Sequence, residues 1–406
     1  MLKERVTLSR MVPCAALSGS RVADVNRRSK IGRMKPSFRR KLPLSEAIDF
    51  PCSRGGASPE AHLVLECFRV NNVDQSKKLQ SHMERSTFQP SSTFANNRLL
   101  HLYSKTGNLR DAHDLFDKMP LRDVISWNAL LSAYSKSASV EDFMALFDRM
   151  PLHDSVSYNT VISGLAGNGY STKALMFFIR MQRDGFEPSE YAYVSALRSC
   201  SQLLDLKHGK QIHGRIVAGN LRGNPFVCNA LMGLYANCRE IDQAGRVFEG
   251  MTNKNVVSWN SMISGYLKNG QPLKCIDLFH RMHLSGFMPD QVTVSNILGA
   301  YLQNGNFNAA RNLFKEFKEK DLICWTTMIA GCTQNGKEEY ALMTFQEMQL
   351  ESTRPDSFIM SSLISSCAKL ASLNHGQAIH GKAVLMGVDA DLLVSTALID
   401  MYSKCG

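Results

Sequence analysis

Residues 256–290 read VVSWNSMISGYLKNGQPLKCIDLFHRMHLSGFMPD, and this stretch decides the fold. From Trp259 onward, Met262, Ile263 and Tyr266 fall at helical spacing. A second apolar stripe runs through Leu273, Ile276, Leu278, Phe279 and Met282. Between them, Asn269-Gly270-Gln271-Pro272 stops one helix and starts another: Gly suits a left-handed C-terminal cap, and Pro suits a first helical turn. Gly286 and Pro289 end the second helix, and Asp290 closes the unit. Neither short helix can bury its stripe alone, so the hairpin needs neighbours.

The chain supplies them. VISWNALLSAY begins at Val124, SVSYNTVISGL at Ser155 and LICWTTMIAGC at Leu322. In this phase the units are 93–123, 124–154, 155–189, 190–224, 225–255, 256–290, 291–321, 322–356 and 357–391. They are 31 or 35 residues long. A diverged unit fits 58–92, and a partial one runs from Leu392 to Gly406. Trp127, Trp259 and Trp325 all stand at the fourth position, so they are expected to be equivalent core anchors. The twenty-fourth is Phe116, Phe147, Phe178, Phe248, Phe279, Phe314 or Phe345, and the fifteenth is Gly107, Gly169, Gly270, Gly305, Gly336 or Gly406. A helical-hairpin period of this length predicts an all-α protein, an α-solenoid of about ten full repeats and one partial.

On these motifs the sequence resembles the pentatricopeptide repeat proteins of plants. More narrowly it is similar to the subfamily that mixes ordinary, long and short repeats. The ordinary units 155–189, 256–290 and 322–356 end in Pro188-Ser189, Pro289-Asp290 and Pro355-Asp356. Short units end in motifs such as Met119-Pro120-Leu121-Arg122-Asp123. Long units carry KHGKQIHG (Lys207–Gly214) and NHGQAIHG (Asn374–Gly381). The resemblance covers 58–406 and implies a right-handed solenoid. Tetratricopeptide repeats are the near rival, but their period is fixed at about 34 residues.

The formal net charge of +11 is unevenly placed. Residues 1–41 hold twelve Lys and Arg against Glu4 and Asp24, leaving 35 basic and 34 acidic side chains elsewhere. The basic character belongs to this leader, which is Arg- and Ser-rich and poor in acids. It reads as a disordered organellar transit peptide, with the mitochondrion favoured by its Arg density and the chloroplast as alternative. Residues 42–57, with Pro43, Pro51 and Gly55-Gly56, read as a linker. No apolar run approaches the roughly 20 residues of a membrane helix, so no membrane association is expected.

Of eleven cysteines, Cys200, Cys332 and Cys367 share the eleventh position, where other units have Tyr. They read as reduced core residues. A zinc cytidine deaminase needs His-x-Glu followed by Pro-Cys-x-x-Cys. His82-Met83-Glu84 matches only the first half, and no Cys-x-x-Cys occurs. His208 with His213, and His375 with His380, stand five residues apart, about 140° around a helix, so each pair diverges. No enzyme activity, cofactor, metal or small-molecule substrate is expected. Ser403 to Gly406 is an inter-helix cap, so the last hairpin lacks its partner and the end reads as a truncation.

First helices of stacked hairpins line one concave surface. Their fifth positions are Asn97, Asn128, Asn159, Asn229, Asn260, Ser295, Thr326, Ser361 and Thr396. The closing positions are Asp123, Asp154, Ser189, Asn224, Asn255, Asp290, Asp321, Asp356 and Asp391. Taken singly, such residues are ordinary helix caps and turn formers. Their near-regular recurrence in pairs favours a second role. The resemblance implies one RNA base per repeat, read by each pair. It also implies base stacking by the apolar second positions Ile125, Val156, Phe226, Val257, Val292 and Ile323, whose ordinary alternative is packing between hairpins. Lys105, Lys136, Lys268, Lys369 and Lys404 share the thirteenth position and could contact phosphates, or simply be solvated.

The resemblance implies uridine for Asn97 with Asp123, Asn128 with Asp154 and Asn260 with Asp290. It implies a pyrimidine for Asn159 with Ser189 and Asn229 with Asn255, and guanine for Ser295 with Asp321 and Thr326 with Asp356. Val194 reads nothing, and Ser361 with Asp391 is left open. The expected core is U-U-Y-N-Y-U-G-G. The function expected is sequence-specific binding of single-stranded organellar RNA, as a specificity factor for cytidine-to-uridine editing with a deaminase in trans. A tetratricopeptide-like peptide scaffold and a non-functional fragment are the alternatives.

Overall fold

The structure is a computed structural model that describes residues 93–136, 139–219 and 221–405, with Lys77, Gln80 and Ser81. The expected leader 1–41, the linker 42–57, nearly all of unit 58–92, His82, Glu84 and Gly406 lie outside the described residues.

Every described unit folds as a hairpin of α-helices. The first helices are α1 (Thr93–Thr106), α3 (Val124–Tyr134), α5 (Ser155–Gly167), α7 (Glu190–Leu203) and α9 (Pro225–Asn237). They continue as α11 (Val256–Lys268), α13 (Gln291–Gln303), α15 (Leu322–Gln334), α17 (Ser357–Lys369) and α19 (Leu392–Cys405). The second helices are α2 (Leu109–Lys118), α4 (Val140–Asp148), α6 (Ser171–Arg183), α8 (Leu206–Ala218) and α10 (Ile241–Glu249). They continue as α12 (Pro272–Leu284), α14 (Phe307–Glu316), α16 (Glu338–Leu350) and α18 (Leu373–Met386). No strand occurs among the described residues. Each first helix packs on its own second helix and on the first helix of the next unit. Each second helix also packs on that next first helix, so the hairpins stack as a solenoid.

Local chemistry explains the hairpins. The residue at the fifteenth position must turn the chain through the left-handed region, as Gly107, Gly169, Gly270, Gly305 and Gly336 do. Leu204, Arg239 and Ala371 take the same conformation at the same position without glycine's freedom. At the other end, each closing residue caps the next first helix. Asp123, Asp154, Asn255 and Asp290 form capping boxes with Ser126, Ser157, Ser258 and Thr293. Ser189, Asn224, Asp321 and Asp356 accept backbone N–H groups of the helices that follow them. First helices also approach closely: a Cβ on Gly164 would stand 2.8 Å from Ser135 Cβ.

One aromatic clamp joins successive units. The twenty-fourth residue meets the fourth residue of the next unit edge to face: Phe116 with Trp127 at 4.8 Å, Phe248 with Trp259 at 4.9 Å, Phe314 with Trp325 at 5.0 Å. Phe147 with Tyr158 and Phe178 with Tyr193 repeat it at 5.1 and 5.6 Å. The three tryptophans are not equivalent, however. Trp325 and Trp259 are 0% and 3% exposed, whereas Trp127 is only half-buried. Phe287, in the tail of Trp259's own 35-residue unit, lies 6.0 Å from that indole, and Lys320 Nζ lies 5.6 Å from the Trp325 ring. The 31-residue unit of Trp127 has no such tail.

Cys200, Cys332 and Cys367 are buried free thiols. Burial pushes the first two up to about 12 and Cys367 to about 11, so they are inert thiols of the core. The long-repeat histidines diverge. His208 Nδ1 meets Asp205 Oδ2 at 2.6 Å, while His213 Nδ1 turns to Tyr235 Oη of the next unit at 2.8 Å. His375 and His380 likewise meet Ser372 at 2.8 Å and Tyr402 at 2.9 Å. No group of three metal-ligating side chains is present among the described residues, nor a helix long and apolar enough to cross a membrane.

Candidate nucleic-acid interface

The first turn of each first helix holds three functional positions. Residue four points into the core, so residues two and five stand on the opposite edge. The second-position side chains are exposed: Ile125, Val156, Phe226, Val257, Val292 and Ile323 all leave more than half of their surface free. They are not buried between hairpins. Four further residues in the same slot belong to the row and were passed over in the sequence: Phe94, Tyr191, Phe358 and Leu393, all exposed. Counting the same phase through the long units would have found them. One exposed apolar or aromatic side chain per unit, ten in sequence, is an unusual pattern for a solvated surface.

Between consecutive members of that row lie the fifth and closing residues. An open cleft of about 700 Å³ is lined by Val156 and Tyr191, with Asn159 and Ser189 between them and Ser163, Gly164 and Gly167 beyond. The second-position pair and the polar pair therefore face one space. Where the closing residue is Asp, the fifth-position amide reaches it directly. Asn97 Nδ2 donates to Asp123 Oδ1 at 3.0 Å, Asn128 to Asp154 Oδ1 at 3.1 Å and Asn260 to Asp290 Oδ1 at 2.9 Å. Asn159 and Asn229, paired with Ser189 and Asn255, have carbonyl oxygens that are buried and without a partner among the described residues.

The carboxylates respond to this setting. Partial burial would raise Asp123 and Asp290. The hydrogen bonds from Ser126 and Asn97, and from Thr293 and Asn260, outweigh it and hold both carboxyls below the usual carboxylate range. The C-terminal units behave otherwise. Ser295 Oγ donates to Val292 O at 3.1 Å and Thr326 Oγ1 to Leu322 O at 2.7 Å, each within its own helix. Asp321 and Asp356 then serve as caps alone, accepting from Cys324 N and Ile359 N at 2.8 Å.

All five thirteenth-position lysines are exposed. Lys136 Nζ sits on Ser104 O at 2.7 Å and Lys369 Nζ on Thr333 O at 2.6 Å, capping the preceding first helix, and Lys404 pairs with Asp400 at 2.8 Å. Only Lys105 and Lys268 among them carry no such contact within the described residues. Asn168 and Asn269, one position on, do what Lys136 and Lys369 do, bonding Ser135 O and Ala236 O at 2.9 Å.

Stacked hairpins with a ladder of apolar and polar positions along one edge define a helical-repeat protein with an extended binding groove. The PPR repeat family model matches residues 153–202, 254–299 and 320–369, and the PPR repeat model matches 97–124, 125–154, 226–256 and 292–322. Together they cover more than half of the chain, which belongs to the PPR repeat family. In Arabidopsis thaliana it is 30% identical over 380 residues to pentatricopeptide repeat-containing protein At1g11290, chloroplastic, covering 85% of this chain and 43% of the relative. It is 27% identical over 376 residues to pentatricopeptide repeat-containing protein At2g03380, mitochondrial, covering 84% and 50%. The chain thus spans about half the length of these relatives. The crystal structure of the pentatricopeptide repeat protein PPR10 from maize matches with a TM-score of 0.60 at 20% identity, over 84% of this chain and 55% of that one. PPR10 in complex with an 18-nt psaJ RNA element matches with 0.58 at 20% identity, over 85% and 58%. These likenesses establish the fold.

Proposed function

We propose that the chain binds single-stranded RNA sequence-specifically in a plant organelle, one base per unit. The observation that carries this is the exposed second-position row, Phe94 to Leu393, alternating with the paired fifth and closing residues. A base inserted between Val156 and Tyr191 would bring its edge to Asn159 and Ser189 in the same cleft. Base–aromatic stacking contributes about 1–3 kcal/mol per base whatever the sequence, and the polar pair supplies the discrimination. The RNA bound by the structurally similar PPR10 supports the ligand class. The chloroplastic and mitochondrial names of relatives support an organelle, and the Arg-rich leader favours the mitochondrion.

Mixed 31- and 35-residue units further suggest a specificity factor for cytidine-to-uridine editing, with a deaminase supplied in trans. Lys105 and Lys268 are the phosphate contacts of first choice. Lys136, Lys369 and Lys404 would have to leave a carbonyl or carboxylate to reach RNA. Selection from a random RNA pool by the full chain tests the reading. Enrichment of U-U-Y-N-Y-U-G-G is expected. A selected pool without two adjacent guanine preferences would sink the pairing scheme.

A further inference from the structure

The asparagine units differ in one atom's fate. A carboxylate only accepts, so Asn97 and Asn260 turn Nδ2 toward Asp123 and Asp290 and leave Oδ1 facing the next unit. There it meets a hydroxyl on that unit's third residue: Ser126 Oγ donates to Asn97 Oδ1 at 2.6 Å, and Thr293 Oγ1 to Asn260 Oδ1 at 2.6 Å. Both amides are thus satisfied within the protein, and both residues are 7% exposed. The other three are not. Ser157 gives its hydroxyl to Asp154 O at 2.8 Å, Ser258 gives its own to Asn255 Oδ1 at 2.9 Å, and the third residue after Asn159 is Ala192. Asn128, Asn159 and Asn229 keep a buried Oδ1 with no partner among the described residues.

We infer that the third residue of the following unit is a specificity-determining position, because its hydroxyl decides whether the reading amide keeps a carbonyl for the base. This rests on the RNA-binding reading. Where Ser126 or Thr293 occupies the carbonyl, the amide has only its second N–H to offer. Every base edge presents an acceptor, so discrimination is weak. Where the carbonyl is unspent, the amide offers an acceptor beside a donor. The uracil edge, N3–H beside a carbonyl, matches that pair. Cytosine has no N3–H and leaves the buried oxygen unpaired, and leaving such a group unpaired corresponds to about a tenfold loss or more.

The test uses the full chain and its selected RNA, with cytidine placed opposite one asparagine unit at a time. Dissociation constants should rise about tenfold opposite Asn128 and less than about threefold opposite Asn97 and Asn260. Ser126→Ala and Thr293→Val should each raise the penalty at their own unit to about tenfold and leave other units unchanged. Ala192→Ser, an addition at a capped helix start, should lower it opposite Asn159 and keeps the test open should a deletion variant unfold. Equal penalties at all five units, unmoved by these variants, would overturn the inference and leave RNA reading intact. No base preference at any unit would overturn the reading beneath it.

Discussion

The units before Asp290 and those after it use one position in two ways. In 93–123, 124–154 and 256–290 the fifth-position amide crosses to the closing Asp, which also caps the next first helix. In 291–321 and 322–356 the fifth-position hydroxyl folds back onto its own helix, and the closing Asp caps alone. The first arrangement ties the reading edge into the stacking of hairpins. The second leaves the two independent. The difference is chemical reach: an Asn amide spans to the next helix, whereas a Ser or Thr hydroxyl finds the carbonyl one turn back first.

The aromatic clamp beneath is the same on both sides, which gives the largest expected effect and a control. Trp259→Ala and Trp325→Ala should each cost about 3–5 kcal/mol in denaturant unfolding, since both indoles are buried. Trp127→Ala should cost distinctly less. If the two buried sites differed strongly, packing rather than edge chemistry would separate the halves. Next is the closing residue. Asp290→Ala removes a cap, the partner of Asn260 and one of Thr293, for about 2–3 kcal/mol. Asp356→Ala removes a cap alone, for about 1 kcal/mol. Equal losses would break the comparison.

Thr326→Asn installs the first arrangement in the second region. The base preference of that unit should move from guanine toward uracil by about tenfold, with the other units unchanged, as read by competition binding. A preference that stayed with guanine would show that the closing Asp356 dominates the pair. The smallest effect is on pH. Depressed carboxyls at Asp123 and Asp290 stabilise fully above the unfolded value of about 3.9, and that stability is lost as pH falls through the lower folded value. Melting temperature should hold from neutral pH to about 5 and drop below about 4. Asp290→Asn, still able to cap, should flatten that acid limb. An unchanged limb would mean that the ionised form of Asp290 adds nothing.

Much of this was legible in the letters. Repeats of Trp, Phe and Gly at fixed phase define the hairpins because the same clamp and the same left-handed turn recur. The reading positions were legible for the same reason. Less legible were the outcomes of competition. Leu204, Arg239 and Ala371 turn left-handed where only glycine advertises it, since the hairpin imposes the conformation. Nothing local tells that Lys136 and Lys369 cap a neighbouring helix, because that carbonyl lies a whole unit back. Nor can composition tell that the Ser126 hydroxyl reaches Asn97 while that of Ser157 turns to its own Asp154. That choice is a rotamer.

The Phe-to-position-four clamp also bears on how such a gene can change length. Because successive junctions use the same two landmarks, an in-phase duplication or deletion of a whole unit rejoins compatible faces, whether the unit has 31 or 35 residues. The core would scarcely register it. On the one-base-per-unit reading, every reader beyond the joint would then address a different nucleotide. A mutation nearly silent for folding would be a frameshift for recognition.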